Sequence, residues 1–276
     1  MKPAAFDYVR AESLDEALET LAQEGSEARV LAGGQSLLPM LNMRLSRPRV
    51  VLDIMAVPGL GALRHDPDGL VVGAAVRQAR LERERNLRGT QPLLAAALPW
   101  VGHAQTRSRG TICGSVAHAD PSAEIPLVLV ALRAEIHLRS RRRARRVPAE
   151  DFFTGMMATA RLDEELIEAV RIPAARPGTG SAFREVGRRH GDFAIVACAA
   201  VADARSARLA VGGVADVPVA RDGLPLPDDP ALDEALDAFA WELGARDDLH
   251  ATARYRRELV RRLGRQTVEE AVRCRA

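Results

Sequence analysis

Two short stretches of this chain carry the residue types that can grip an anion. The first is Ala32-Gly33-Gly34-Gln35-Ser36. The second is Thr111-Ile112-Cys113-Gly114-Ser115, which runs through His118-Ala119-Asp120-Pro121-Ser122-Ala123-Glu124 into an apolar segment ending at Leu132. Both offer backbone N–H groups with little side chain in the way, and hydroxyls beside an expected helix start. Exposed amides and a helix N-terminus favour a phosphate or pyrophosphate. Neither stretch is a Walker loop, because no Gly-Lys-Ser/Thr follows, and neither has the G-x-G-x-x-G spacing of a Rossmann turn. Glycine pairs more often mark turns than phosphate sites, so each stretch is weak alone. Together they point to one large dinucleotide held from two sides.

Other residues with chemistry have ordinary readings beside the sharper ones. Asp120 and Glu124 stand four apart, as a metal pair would, but carboxylates at a helix start more commonly complement its dipole. His118 lies between Ala117 and Ala119 and has no orienting partner for a general base. Cys113 has no neighbour that would activate a thiol, so a small residue tolerated in a loop is the plainer reading. The densest charge, Arg139-Ser140-Arg141-Arg142-Arg143-Ala144-Arg145-Arg146, lacks the interleaved aromatics of a nucleic-acid patch and reads as a solvated loop, or as a docking edge for an acidic partner. No catalytic residue and no metal site emerge.

The elements that must position these residues follow from local signals. Ser13 and Glu16 form a capping box, Leu14, Ala17, Leu18 and Leu21 share a helical face, and Gly25 ends that helix. Arg29 to Ala32 reads as a strand delivering the chain to the first glycine pair, Leu37 to Met43 as a compact turn or short helix, and Val50 to Ile54 as a second strand. A hairpin turns at Asp66-Pro67-Asp68-Gly69, and helices are expected at 77–84, 93–101 and about 122–132. Glu135–Arg139 and Glu165–Ile172 read as strands, and Pro173 to Gly180 as a linker. Beyond it come extended stretches at 181–186, 194–202 and 208–214, then helices at 231–243, 250–263 and 267–273. The expected units are 1–58, 59–177 and 178–276, giving an α+β chain.

Length and composition agree with that outline. A chain of 276 residues can bury a sizeable core in two or three units. A formal charge of +2 argues against an overall nucleic-acid binder. Lys2 is the only lysine, and with abundant alanine this reflects a G+C-rich genome more than a selected chemistry. Cys113, Cys198 and Cys274 are scattered without a C-x-x-C, so neither a zinc ribbon nor a local iron–sulfur motif is present and a reducing cytoplasm is the natural compartment. The first residues lack the apolar core of a signal peptide, and no apolar run is long enough for a transmembrane segment.

With these residues in hand, the sequence resembles the FAD-binding medium subunit of the molybdenum hydroxylases, of the aerobic carbon monoxide dehydrogenase and xanthine dehydrogenase type. Ala32 to Pro39 is similar to the family's first pyrophosphate loop, and Thr111 to Ser115 with His118 to Glu124 to its second. Phe152-Phe153-Thr154-Gly155 with Leu162 and Glu165-Leu166-Ile167 is similar to the segment before the linker. Arg189-His190-Gly191-Asp192-Phe193-Ala194 resembles the start of the third domain, and Asp248 to Arg256 its closing motif. The resemblance covers nearly the whole chain.

It implies a two-subdomain FAD-binding α/β fold followed by an α+β C-terminal domain that covers the flavin. It implies that Ala32, Gly33, Gly34, Gln35, Ser36, Thr111, Cys113, Gly114 and Ser115 bind the pyrophosphate. Glu124 matches an acidic position that hydrogen-bonds FAD, Ile167 an apolar contact on the adenine side, Arg184 a basic position near the flavin, and Phe193 a position beside the isoalloxazine. Cys113 replaces the first of two glycines usual in the second loop, which predicts a Cβ crowding the pyrophosphate. The implied function is electron transfer from [2Fe-2S] clusters on a small partner chain, via FAD, to an acceptor. The resemblance further implies a large partner subunit carrying the molybdenum cofactor and an assembly as a dimer of heterotrimers. The rivals are a stand-alone FAD-dependent oxidoreductase, which would need a substrate pocket of its own, and a scaffold subunit that has lost FAD.

Overall fold

The computed structural model describes residues 2–275; Met1 and Ala276, the outermost residues of the first and third expected units, lie outside the described residues. The described residues build three larger sheets and one two-stranded ribbon. In the first, β1 (Asp7–Arg10) is followed by α1 (Leu14–Glu24), β2 (Ala28–Leu31), α2 (Leu37–Asn42) and β3 (Val50–Asp53), and the strands run parallel in the order β1-β3-β2. The Ser13 hydroxyl accepts the Glu16 amide at 3.1 Å, and Gly25 closes α1 at φ +51°. Parallel pairing puts the C-terminal ends of β2 and β3 on one edge, where the chain leaves β2 directly into Gly33 and Gly34.

The second sheet has the order β4-β5-β10-β6-β7. β4 (Leu63–Asp66) and β5 (Gly69–Gly73) form the expected hairpin. A run of short helices follows: α3 (Gln78–Glu82), α4 (Leu87–Thr90), α5 (Pro92–Ala97), α6 (Ala104–Arg109), α7 (Ile112–His118) and α8 (Glu124–Ala131). β6 (Glu135–Arg139) and β7 (Ala144–Pro148) then pair as a hairpin, and α9 (Ala149–Phe152) and the small ribbon of β8 (Phe153–Gly155) and β9 (Ala158–Thr159) lead to β10 (Leu166–Pro173). The arginine run is therefore not a loop. It is the turn and edge strand of the β6–β7 hairpin, with the Ser140 hydroxyl accepting the Arg143 amide at 3.2 Å. Arginines suit an edge strand because their charge opposes further strand pairing. Arg145 turns inward instead, its Nε and Nη2 donating to the two carboxylate oxygens of buried Glu165 at 2.7 and 2.8 Å.

β11 (Gly180–Val186), β12 (Val196–Ala202), β13 (Ala207–Gly212) and β14 (Val219–Leu224) form an antiparallel meander, followed by α10 (Ala231–Glu242) and α11 (Ala253–Arg273). The alternation of strand side chains divides the core. Phe183, Ala197, Ala199 and Ala210 join the large cluster with α5 and α8, whereas Ala182, Cys198, Ala200 and Leu209 join the second cluster under α10 and α11. The two helices expected at 250–263 and 267–273 are one continuous helix. Gly264 does not break it, because it sits where a Cβ would lie 3.0 Å from Leu209 Cδ2 and 3.3 Å from Leu236 Cδ2. Among the described residues no helix is long and apolar enough to cross a membrane.

Candidate functional site

The two glycine-bearing stretches meet. A Cβ on Gly33 would stand 2.3 Å from the Arg109 carbonyl oxygen and 2.6 Å from Gly110 Cα, so the first loop lies directly on the residues that lead into the second stretch. Gly34 holds φ +72°, a left-handed conformation that a side chain would strain. The loop is held by Leu38 N–H donating to the Gly34 carbonyl at 3.0 Å and by Gln35 Nε2 donating to the Gly33 carbonyl at 3.2 Å. None of the amides of Gly33, Gly34, Gln35 and Ser36 has an acceptor among the described residues. Gln35 is exposed and the other three are half-buried, so the four donors are open to a partner from outside the chain, and consecutive free amides are the groups that an anion site uses.

The second stretch is helical rather than a loop. Thr111 is the N-cap of α7 and its hydroxyl oxygen accepts the Gly114 amide at 3.0 Å. The Gly114 N–H, expected to face the pyrophosphate, is therefore already used. Gly114 lacks a side chain for the same cap, since its Cβ would lie 2.7 Å from the Thr111 hydroxyl. Thr111 O–H, the Cys113 amide and the Ser115 hydroxyl remain as donors without an acceptor among the described residues. The expected crowding by Cys113 is not what the fold does. Its side chain points into the core, where it is 3 % exposed and its Sγ contacts the Val72 carbonyl at 3.7 Å. Burial pushes that thiol up to about 12, which removes it from nucleophilic chemistry near neutral pH.

Asp120 Oδ1 accepts the Ser122 amide at 2.8 Å and shapes the turn between α7 and α8. Gly213 N–H donates to the Pro121 carbonyl at 2.8 Å, so the third sheet touches this turn. Glu124 opens α8 and is buried. Desolvation pushes its carboxyl up to about 7; nearby Asp120 also raises it, whereas a backbone hydrogen bond and Arg107 work the other way. Ile167, paired with Leu138 across the second sheet, is buried in the large core cluster.

Arg184 and Phe193 diverge. Arg184 shares the sheet face of Ala182 and Val186, and its Nη2 donates to Glu270 of α11 at 2.7 Å, on the far side of the sheet from α8. Phe193 is 71 % exposed at the mouth of a cavity of about 390 Å³ that Pro121, Ser122, Met156 and Arg188 also line. The loop carrying it is anchored by the His190 ring on Trp100, with centroids 4.9 Å apart. Sequence reasoning missed Glu185, which is buried on the face turned toward α8 and whose charge lies within reach of Glu124. A charged residue two positions from Phe183, and so on the same strand face, was the available signal. The closing segment lines the same cavity as Phe193 through Asp248, His250 and Arg256; Arg256 is buried and its guanidinium donates to the Arg246 and Ala251 carbonyls and, at 2.8 Å, to Asp248.

The chain as a whole is similar to known proteins. Residues 4–175 match the family model described as the FAD binding domain in molybdopterin dehydrogenase, and residues 181–271 match the CO dehydrogenase flavoprotein C-terminal domain. The chain is 36 % identical to the 6-hydroxypseudooxynicotine dehydrogenase complex subunit alpha of Paenarthrobacter nicotinovorans, over 99 % of this chain and 96 % of that one. It is 42 % identical to the caffeine dehydrogenase subunit beta of Pseudomonas sp. strain CBB1, over 79 % of this chain and 76 % of that one. Reconstituted CO dehydrogenase from Oligotropha carboxidovorans superimposes over the full length of both chains with a TM-score of 0.95 and 31 % identity.

Proposed function

Since this chain belongs to the FAD-binding medium subunits of the molybdenum hydroxylases, we propose that it is the electron-transfer subunit of a complex with a molybdenum-cofactor large subunit and a [2Fe-2S] small subunit, assembled as a dimer of heterotrimers in the cytoplasm. The chain is an oxidoreductase subunit and its cofactor is FAD. The chemistry that bound FAD would supply is the relay of electrons from the clusters of the small subunit to an acceptor. The residues of this chain bind and orient it. The amides of Gly33, Gly34, Gln35 and Ser36, with Ala32 leading the chain into them, take the pyrophosphate from one side. Thr111 and Ser115 hydroxyls and the Cys113 amide take it from the other, and Gly114 keeps Thr111 in its capping position. Glu124 faces an uncharged polar part of the cofactor, Ile167 backs the adenine side, and Phe193 flanks the ring. Arg184 acts at longer range, its charge shared with Glu270.

The observation that carries this reading is the row of four unpaired amides seated on Arg109 and Gly110. Its chemistry fits a pyrophosphate, which brings the acceptors that those amides lack. The test is to purify the full chain, alone and co-expressed with the large and small subunits. The expected result is a yellow protein that releases FAD on denaturation and, when co-expressed, elutes with both partners. A colourless chain that takes up no added FAD overturns the cofactor site, and a flavoprotein that never associates with the two chains overturns the assembly.

A further inference from the structure

The face of the third sheet that packs on α8 carries a charge at each end. Near the C-terminus of α8, Arg208 Nε and Nη2 donate to the Ala131 and Val130 carbonyls at 3.1 and 3.0 Å, and the guanidinium also meets Asp222 and Glu150. Near the N-terminus of α8, Glu185 has no such set of partners. It is 8 % exposed, and its Oε2 is buried with no hydrogen-bond partner among the described residues. The row Glu185, Ala197, Gly212 crosses the sheet to the point where a Gly212 Cβ would lie 3.2 Å from the Pro121 carbonyl. That row faces the turn into α8 that Glu124 ends. A buried carboxyl oxygen without a partner is costly, and in native proteins it marks a place where something else supplies one.

We propose that Glu185 is a further cofactor-binding residue, its free carboxyl oxygen acting beside Glu124 on an uncharged hydroxyl or carbonyl of the bound FAD. This rests on the FAD site argued above. The chemistry of the pair selects the group. The amides of the glycine loop attract a phosphate, whereas a pair of buried carboxyls with no cation beside them offers it no compensating charge. The carboxyl end therefore takes the polyol or the ring, and the amide end takes the pyrophosphate. Burial, with Glu124 adding to it, pushes Glu185 up to about 8, so near neutral pH it carries a proton and can donate as well as accept. No cation offsets this from the packed elements: α5 and β12 carry no titratable group except the Cys198 thiol, which faces the other side, and α8 contributes Glu124 alone. Asp120 and Arg107 act on Glu124 with opposite sign, and the Arg184–Glu270 pair lies across the sheet.

The experiment uses the full chain stripped of flavin, titrated with FAD and separately with ADP, which lacks the polyol and the ring. Glu185→Ala is expected to weaken FAD binding about tenfold and leave ADP binding unchanged. Glu185→Gln keeps a donor and an acceptor but cannot ionise. It is expected to bind FAD within about threefold of wild type at pH 6 and to lose the decline in affinity that wild type shows as pH rises through about 8. Equal weakening of FAD and ADP, or unchanged FAD binding with the wild-type pH profile kept in Glu185→Gln, overturns the assignment of Glu185. If Glu185→Ala does not fold, the Glu185→Gln profile decides alone. A wild-type chain that binds no FAD overturns the cofactor reading itself, a result distinct from the failure of Glu185.

Discussion

Gly33 has no side chain because the Arg109 carbonyl occupies the place where one would stand. Both atoms at that contact are backbone, so neither can turn aside. Gly33→Ala must separate the two halves of the cradle, an overpacking cost of about 1–3 kcal/mol. The expected outcome is a chain with unchanged far-ultraviolet circular dichroism whose FAD affinity falls about tenfold or more, measured by flavin titration. Undiminished affinity would show that the two stretches do not act jointly. Cys113 makes the opposite case. Its side chain is core, so Cys113→Gly leaves a buried gap and a glycine inside α7, together about 2 kcal/mol of lost stability. The melting temperature should fall while FAD affinity stays constant; tighter binding in the variant would restore the crowding that the sequence alone implied.

At the level of elements, the sequence was legible where a local signal had one meaning. The Ser13–Glu16 box, the Asp66–Gly69 hairpin and the strand feeding Gly33 needed no tertiary context. α7 was hidden because Gly114 and the small residues around it look like a loop; the helix depends on the Thr111 cap, whose geometry only Gly114 permits. β7 was hidden because its arginines obscure strand alternation, and Glu165, which takes Arg145, lies far along the chain. Glu185 was missed because what makes it unusual is the sheet face opposite α8, a tertiary fact. The continuity of α11 past residue 263 was missed for the same reason, since Gly264 is a close approach of helix to sheet. Gly264→Val should push α11 away from Leu209 and Leu236 and lower stability by about 1–3 kcal/mol, read by denaturant unfolding. Unchanged or increased stability would mean that helix propensity, not packing, decides at that position.

Across the whole molecule, the third sheet is held between two cores, and one of its faces meets α8 through Arg208 at one end and the Glu124–Glu185 carboxyls at the other. These ends respond to pH in opposite directions. Asp222 is held below the usual carboxylate range despite partial desolvation, because the Arg208 and Arg133 guanidinium groups bond to it. Its contribution is present above its ordinary pKa and is lost as pH falls through the depressed folded value. Glu124 and Glu185 are raised from 4.5 to about 7 and about 8, mainly by burial. Their contribution is full below the unfolded value, and it is lost as pH rises through the folded ones. The cofactor-free chain should therefore be most stable at mildly acidic pH, and scanning calorimetry from pH 5 to pH 9 should show the melting temperature falling toward the alkaline side. The double variant Glu124→Gln with Glu185→Gln removes both titrations, so its alkaline decline should flatten by on the order of 2 kcal/mol while its acid limb stays that of wild type. An alkaline decline of wild-type size in the double variant would assign the pH response to other groups and leave the carboxyl pair without a part in the stability of this junction.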